Sequence, residues 1–196
     1  MDTLRNWFTS KYSKQGLWSL FLICAFPLHL WTLILVFRDM DWVIKRTNAW
    51  DAIGVGAYGM LFAFAESILI FVGLVLIGLL LPNWWQSERR VAFLSLLVIL
   101  TAFWAMFGQL RFLWNLSLPI PVILMLARSD HPFRLLYAMY LVVVIPSILI
   151  PVYLFVRSNN SIKWMQDLTE RLSTLTMFYL LFDVAGLVIV IIRNLA

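Results

Sequence analysis

Residues 53–81 read IGVGAYGMLFAFAESILIFVGLVLIGLLL, and this stretch decides the fold. It carries one charged side chain, Glu66, near its middle. A helix of about 20 apolar residues is enough to cross the hydrocarbon core of a bilayer. The stretch therefore predicts a transmembrane helix with a carboxyl group at mid-membrane depth.

Glu66 shares one face of this helix with small residues, at about 100° of rotation per residue. The small residues of this packing face are Gly56, Gly59, Ala63 and Gly73. Small side chains let a second helix approach closely, and a carboxyl group in the membrane has to be neutral or paired. We therefore expect the face to be buried in protein, with Glu66 serving either packing or the handling of a proton or ligand.

The composition of the whole chain is that of an integral membrane protein. Of its 196 residues, 63% are hydrophobic and 13% are charged, and the charged residues are concentrated in short segments between apolar runs. This pattern predicts a single transmembrane domain, 1–196, with no separate soluble catalytic domain. The net charge of +5 lies mostly at the ends of the apolar runs, which indicates contact with membrane lipids and not with nucleic acid.

Five transmembrane helices are predicted, after a basic segment over 1–15. Their approximate bounds are 16–37, 52–81, 91–113, 135–156 and 174–192. The first is expected to be an uncleaved helix, because it is too long for the core of a signal peptide. Between the third and fourth lies 114–127, whose prolines, Pro119 and Pro121, favour a short re-entrant or interfacial segment. The alternative ends the third helix at Gly108 and gives six helices.

Two polar segments remain outside these spans. Residues 161–172 have apolar and charged side chains on opposite faces, which predicts an interfacial amphipathic turn. Residues 38–51 form a charged loop in which Asp39 and Asp41 have the D-x-D form of some membrane glycosyltransferases. This short pattern is common by chance, so a solvated loop is the favoured interpretation.

Three titratable residues fall near the midpoints of predicted helices: His29, Glu66 and Asp183. At a common depth they predict a buried polar group in which the imidazole pairs with one carboxylate and the carboxylates share a proton. The plainer interpretation is that they hold the helices in one arrangement. A metal site is a further alternative. With one cysteine, Cys24, the chain has no intramolecular disulfide.

No catalytic or cofactor-binding motif occurs in the sequence, so no cofactor is expected and an enzyme is disfavoured. The first hypothesis is a non-enzymatic subunit, scaffold or anchor that docks against another membrane protein or a second copy of itself. The second is a small proton-coupled transporter or channel that uses His29, Glu66 and Asp183. The third is an envelope lipid or glycan transferase that uses Asp39 and Asp41. The basic lead into the first helix favours a cytoplasmic N-terminus in the cell membrane.

Overall fold

A computed structural model describes residues 11–114, 117–158 and 160–195, and these residues form six helices. They are α1 (Lys14–Arg46), α2 (Ala49–Leu79), α3 (Ser87–Leu113), α4 (Ile120–Ala127), α5 (Pro132–Arg157) and α6 (Asn160–Leu195). All but α4 are long and apolar enough to cross a membrane. The predicted polytopic helix bundle is therefore confirmed, with five candidate spans. Residues 1–10 of the predicted basic segment lie outside the described residues.

The segment between α3 and α5 does not make a sixth span. Helix α4 has eight residues, which at 1.5 Å per residue rise about 12 Å and cannot cross a bilayer. Gly108, the residue at which the six-helix alternative ended the third helix, lies inside α3.

Most of the predicted charged loop over 38–51 is helical. Helix α1 continues to Arg46, and the connection to α2 is Thr47 and Asn48 alone. Residues 38–46 contain neither glycine nor proline, and Lys45 forms an ion pair with Asp41 one turn earlier. The Asn48 side chain then caps α2 by accepting a hydrogen bond from the Asp51 amide at 2.9 Å.

The predicted amphipathic turn over 161–172 is the first part of α6. The helix begins at Asn160 and runs without a break to Leu195. No proline separates the amphipathic residues from the apolar ones, and the first glycine is Gly186. Because nothing interrupts the backbone hydrogen bonds, the two segments join into one helix.

Helices α1 and α6 run parallel, and α2 runs antiparallel to both. Leu22 contacts Thr176 and His29 contacts Asp183, each pair being separated by 154 residues in sequence, so the register between α1 and α6 is constant. One turn after Asp183 on α6, a Cβ at Gly186 would lie 3.2 Å from the backbone oxygen of Ala57 in α2. The three helices therefore form the centre of the bundle.

Buried cationic side chains hold the chain before α1 against the end of α2. Lys11 donates from Nζ to the Leu79 carbonyl at 2.8 Å. Arg90, which is 1% exposed, donates to the carbonyls of Lys11 at 2.8 Å and Pro82 at 3.1 Å. These cations bind carbonyls at and just beyond the C-terminus of α2, where helices leave acceptors unsatisfied. Burial raises the pKa of the neighbouring Tyr12 to about 12, partly offset by Arg90.

Two glycines of α2 give a matched test of this packing. A Cβ at Gly78 would collide with the Tyr12 hydroxyl and lie 2.8 Å from Leu94 Cδ1, whereas a Cβ at Gly73 would meet nothing within 4 Å. We expect Gly78→Ala to lower the free energy of unfolding by about 1–3 kcal/mol, the usual cost of overpacking. Gly73→Ala should leave it unchanged or raise it by up to about 1 kcal/mol. Thermal unfolding in detergent measures both, and equal effects would contradict the packing described.

Candidate functional site

His29 and Asp183 form a buried pair between α1 and α6. His29 Nε2 lies 2.9 Å from Asp183 Oδ2, and the residues are 0% and 6% exposed. The other ring nitrogen, Nδ1, lies 2.8 Å from the Ala25 carbonyl oxygen, one turn earlier on α1. The ring is therefore held at both nitrogens, and both contacts are short enough to be good hydrogen bonds.

The two contacts together require a shared proton. The Ala25 carbonyl only accepts, so Nδ1 must carry a hydrogen and donate it. The Nε2–Oδ2 contact then needs one more proton, carried either by Nε2 as an imidazolium or by Oδ2 as a carboxylic acid. Both arrangements have the same number of protons and no net charge. Removing the shared proton would leave one contact with two facing lone pairs.

Other α6 side chains hold the histidine ring in place. Tyr179 stacks on His29 at 6.3 Å between ring centroids and 6° between planes, and Phe26 stacks on the same tyrosine at 6.1 Å. Two turns before Asp183, Thr176 donates to the Leu22 carbonyl at 3.1 Å. The sequence places Thr176, Tyr179 and Asp183 on one face, but only the structure shows that this face meets α1.

The second oxygen of Asp183 is unsatisfied. Oδ1 is buried and has no hydrogen-bond partner in the described part of the chain. Asp183 also lines an open groove of about 780 Å³ between α1, α2 and α6, whose other lining residues are apolar except for Lys14. We call this the lateral groove. A buried carboxyl oxygen without a donor costs free energy, and an incoming group can satisfy it.

Glu66 is not part of this pair. It is half-buried and makes no hydrogen bond or ion pair with any residue that the structure describes. The buried side of α2 passes through Met60, Ala63 and Ser67, and Glu66 is rotated about 100° from Ser67. The predicted three-residue group is therefore divided: the structure joins His29 with Asp183 and leaves Glu66 at the edge of the helix contact.

The predicted packing face of α2 is divided in the same way. Ala63 is buried, and Gly56 and Gly59 face α1, where added Cβ atoms would lie 3.2 Å from Val36 and 3.3 Å from Thr32. Gly73 faces open space. Gly56 and Gly59 therefore lie at the close contact with α1, whereas Gly73 does not.

Asp39 and Asp41 lie on the extended end of α1 and not in a loop. Arg38 forms an ion pair with Asp39, with 2.7 Å between Nε and Oδ1, and Lys45 forms an ion pair with Asp41. Both carboxylates are exposed and already paired with cations of their own helix. Across residues 11–114, 117–158 and 160–195, no group of three His, Cys, Asp or Glu side chains could hold a metal ion.

A row of buried hydroxyls was missed in the sequence. Thr169 and Ser173 on α6, and Ser95 on α3, have buried hydroxyl oxygens without a partner in the described residues. Thr169, Ser173 and Thr176 follow one another at spacings of four and three, and Asp183 lies two turns further on the same side of α6. This helical spacing of polar residues is a signal that the sequence offered. Buried hydroxyls of this kind commonly bind ordered water.

Comparisons with protein-family models, curated proteins and solved structures found no match to this chain. Its functional interpretation therefore depends on the geometry of the His29–Asp183 pair and its surroundings.

Proposed function

We propose that this protein is a small proton-coupled membrane transporter or channel in which the His29–Asp183 pair holds the coupling proton. The observation that carries the proposal is the pair of contacts at the two ring nitrogens of His29, which together require a shared proton. Ionisable side chains inside a membrane are costly and often belong to proton relays. An imidazole that exchanges a proton with a carboxyl group is suited to such a role.

The hydroxyl row supplies a route to the pair. Thr169 and Ser173 lie between the amino end of α6 and Asp183, and their unsatisfied oxygens can each bind a water molecule. A file of waters along this side of α6 would bring a proton from the membrane surface toward Thr176 and the pair. The lateral groove reaches Asp183 along a separate, mostly apolar surface between α1, α2 and α6. The pair would then be accessible to protons along the hydroxyl row and to a solute along the groove.

Proton movement in liposomes tests the proposal. The purified protein is reconstituted with a pH-sensitive dye inside, and panels of organic cations, organic anions and neutral solutes are added outside with the voltage clamped. For at least one panel we expect a proton flux that falls about tenfold or more in Asp183→Asn, since the amide keeps the shape but cannot take up or release a proton as a carboxyl group does. Glu66→Gln is the matched control and should behave as the unmodified protein. No protein-dependent flux with any panel, or equal flux in Asp183→Asn, would overturn the proposal.

A second candidate is a non-enzymatic subunit that docks through α5. This helix has one buried residue, Phe155, among 26, whereas α1 has seven. Pro146 and Pro151 also free backbone carbonyls in α5, which neighbouring helices commonly satisfy. Extraction in mild detergent followed by mass measurement of the native particle tests this candidate. A stoichiometric second polypeptide would favour it, and a particle of this chain alone would count against it.

For orientation, we propose the cell membrane with a cytoplasmic N-terminus. The basis is the basic lead into α1, with Lys11 and Lys14, because positive residues before the first helix favour the cytoplasmic side. Accessibility of a cysteine introduced at exposed Ser13, in intact cells and in inverted vesicles, tests the orientation, with Cys24 replaced by serine.

A further inference from the structure

The lateral groove has aromatic walls, and the carboxyl group of Asp183 lies deep within it. Its lining includes Trp18 and Phe21 of α1, and Phe64 and Phe71 of α2. Phe21 makes edge-to-face contacts with both α2 phenylalanines, at 6.2 Å and 5.8 Å between centroids. Aromatic surfaces attract organic cations, and the attraction is strongest where water is excluded. The walls thus favour a bulky cation over an anion of the same shape.

Charge in the groove is also unequally distributed. Asp183 and Lys14 are the two lining residues that can carry charge. Lys14 precedes His29, the partner of Asp183, by 15 residues of helix, which is a rise of about 22 Å. The cation of Lys14 therefore lies near the membrane surface, while the carboxyl group lies at depth and has an oxygen without a donor.

Among the residues that the structure describes, Asp183 is the only potential anion that lines the groove. From α6, Tyr179 stacks on His29, and from α1 the charged lining residue is Lys14. Helix α2 contributes apolar lining side chains only, with Glu66 outside the groove lining. Helix α3 has its charged residues, Glu88, Arg89, Arg90 and Arg111, in its first turn or near its last.

We propose that the lateral groove binds a lipophilic organic cation, of the quaternary ammonium or phosphonium class, in exchange for the proton shared by His29 and Asp183. This inference rests on the proposed function and names its substrate class. Binding places one positive charge beside the Asp183 carboxylate, and the shared proton leaves to water. The pair changes from neutral to an anion, so that the pair and its ligand together remain neutral. An uncharged lipid chain could not balance the charge of an Asp183 carboxylate and so would not displace the shared proton.

Tetraphenylphosphonium and tetraphenylborate are a matched pair of probes, since they have the same shape and opposite charge. Equilibrium dialysis of each probe against the purified protein in detergent measures binding, and a pH indicator in weak buffer measures proton release. We expect tetraphenylphosphonium to bind with release of up to one proton, so that its affinity rises with pH. Asp183→Asn should weaken its binding about tenfold or more. Tetraphenylborate should bind more weakly, without proton release.

A second pair of variants keeps the test valid if Asp183→Asn fails to fold. Ile68 lines the groove, and its neighbour Leu69 is 72% exposed and does not. Ile68→Trp should fill the groove and weaken tetraphenylphosphonium binding about tenfold, whereas Leu69→Trp should not change it. Equal binding of the two probes, or binding unaffected by Ile68→Trp, would overturn the inference.

The failure of this inference and that of the proposed function give different results. Asp183-dependent proton flux driven by another solute panel, without tetraphenylphosphonium binding, would reject the cation as substrate and retain the proton-coupled function. Groove binding of tetraphenylphosphonium without proton release would reject the exchange and, with no flux in liposomes, the proposed function as well.

Discussion

Replacing Asp183 with leucine is expected to lower the free energy of unfolding by about 3–5 kcal/mol, the usual cost of removing one partner of a buried charged pair. His29 is 0% exposed, and the remaining imidazole would keep its bond to Ala25 while Nε2 lost its bond to Asp183. A buried polar atom left in this state costs its full desolvation free energy. This is one of the two largest single-residue effects that the contacts predict.

The double variant His29→Leu/Asp183→Leu should recover most of this loss. With both partners replaced by apolar side chains, no polar atom of the pair stays unsatisfied, and such replacements are often nearly neutral. A double-mutant cycle measured by thermal or SDS-induced unfolding gives the coupling free energy directly. Glu66→Leu is the control, and we expect a change within about 0.5 kcal/mol because Glu66 has no hydrogen bond or ion pair to lose among the described residues. Additive losses for His29 and Asp183 would contradict the described pair.

Replacing Arg90 with methionine should lower the free energy of unfolding by about 3 kcal/mol. Its guanidinium donates to two carbonyls of different segments, Lys11 before α1 and Pro82 after α2, and it also lies 5.7 Å from the Tyr12 ring. Methionine fills a similar volume but leaves both carbonyls without this donor. Arg90→Lys should recover only part of the loss, because an ammonium group lacks the planar fork that reaches both oxygens.

The measurement for Arg90 combines unfolding with limited proteolysis. If Arg90 holds the chain before α1 in place, cleavage there should become faster in Arg90→Met before global unfolding. Lys14→Met is the control, since Lys14 is exposed, and it should change the free energy of unfolding by no more than about 0.5 kcal/mol. Unchanged cleavage in Arg90→Met would show that other contacts anchor this segment.

The anchors at the two ends of α2 illustrate what local sequence cannot show. Arg193 donates to the Trp50 carbonyl and to Asp51, whereas Lys11 and Arg90 bind carbonyls at the opposite end. Each is an ordinary interfacial cation by its sequence position. Apart from Pro82, which is eight residues from Arg90, their partners lie 68 to 143 residues away, so the pairing depends on which helix ends meet.

What the sequence by itself determined is the set of membrane spans and the presence of ionisable groups inside them. Long apolar runs such as 53–81 have one low-energy state in lipid, a helix with its backbone hydrogen bonds satisfied internally, so composition and length suffice. Hydropathy did not determine where the helices begin and end. The extensions of α1 to Arg46 and of α6 back to Asn160 follow from helix continuity in polar segments, where hydropathy gives no signal.

Only the tertiary structure decided which ionisable groups meet. The sequence shows three residues at mid-helix depth, His29, Glu66 and Asp183, and does not distinguish between them. In the structure, the parallel register of α1 and α6 brings His29 to Asp183, and the rotation of α2 turns Glu66 away from them. Sequence gives the depth of a residue on its own helix but not the rotation or register of one helix against another. Those depend on close contacts between distant residues, such as Gly186 with Ala57 and Thr176 with Leu22, which exist only once the bundle is packed.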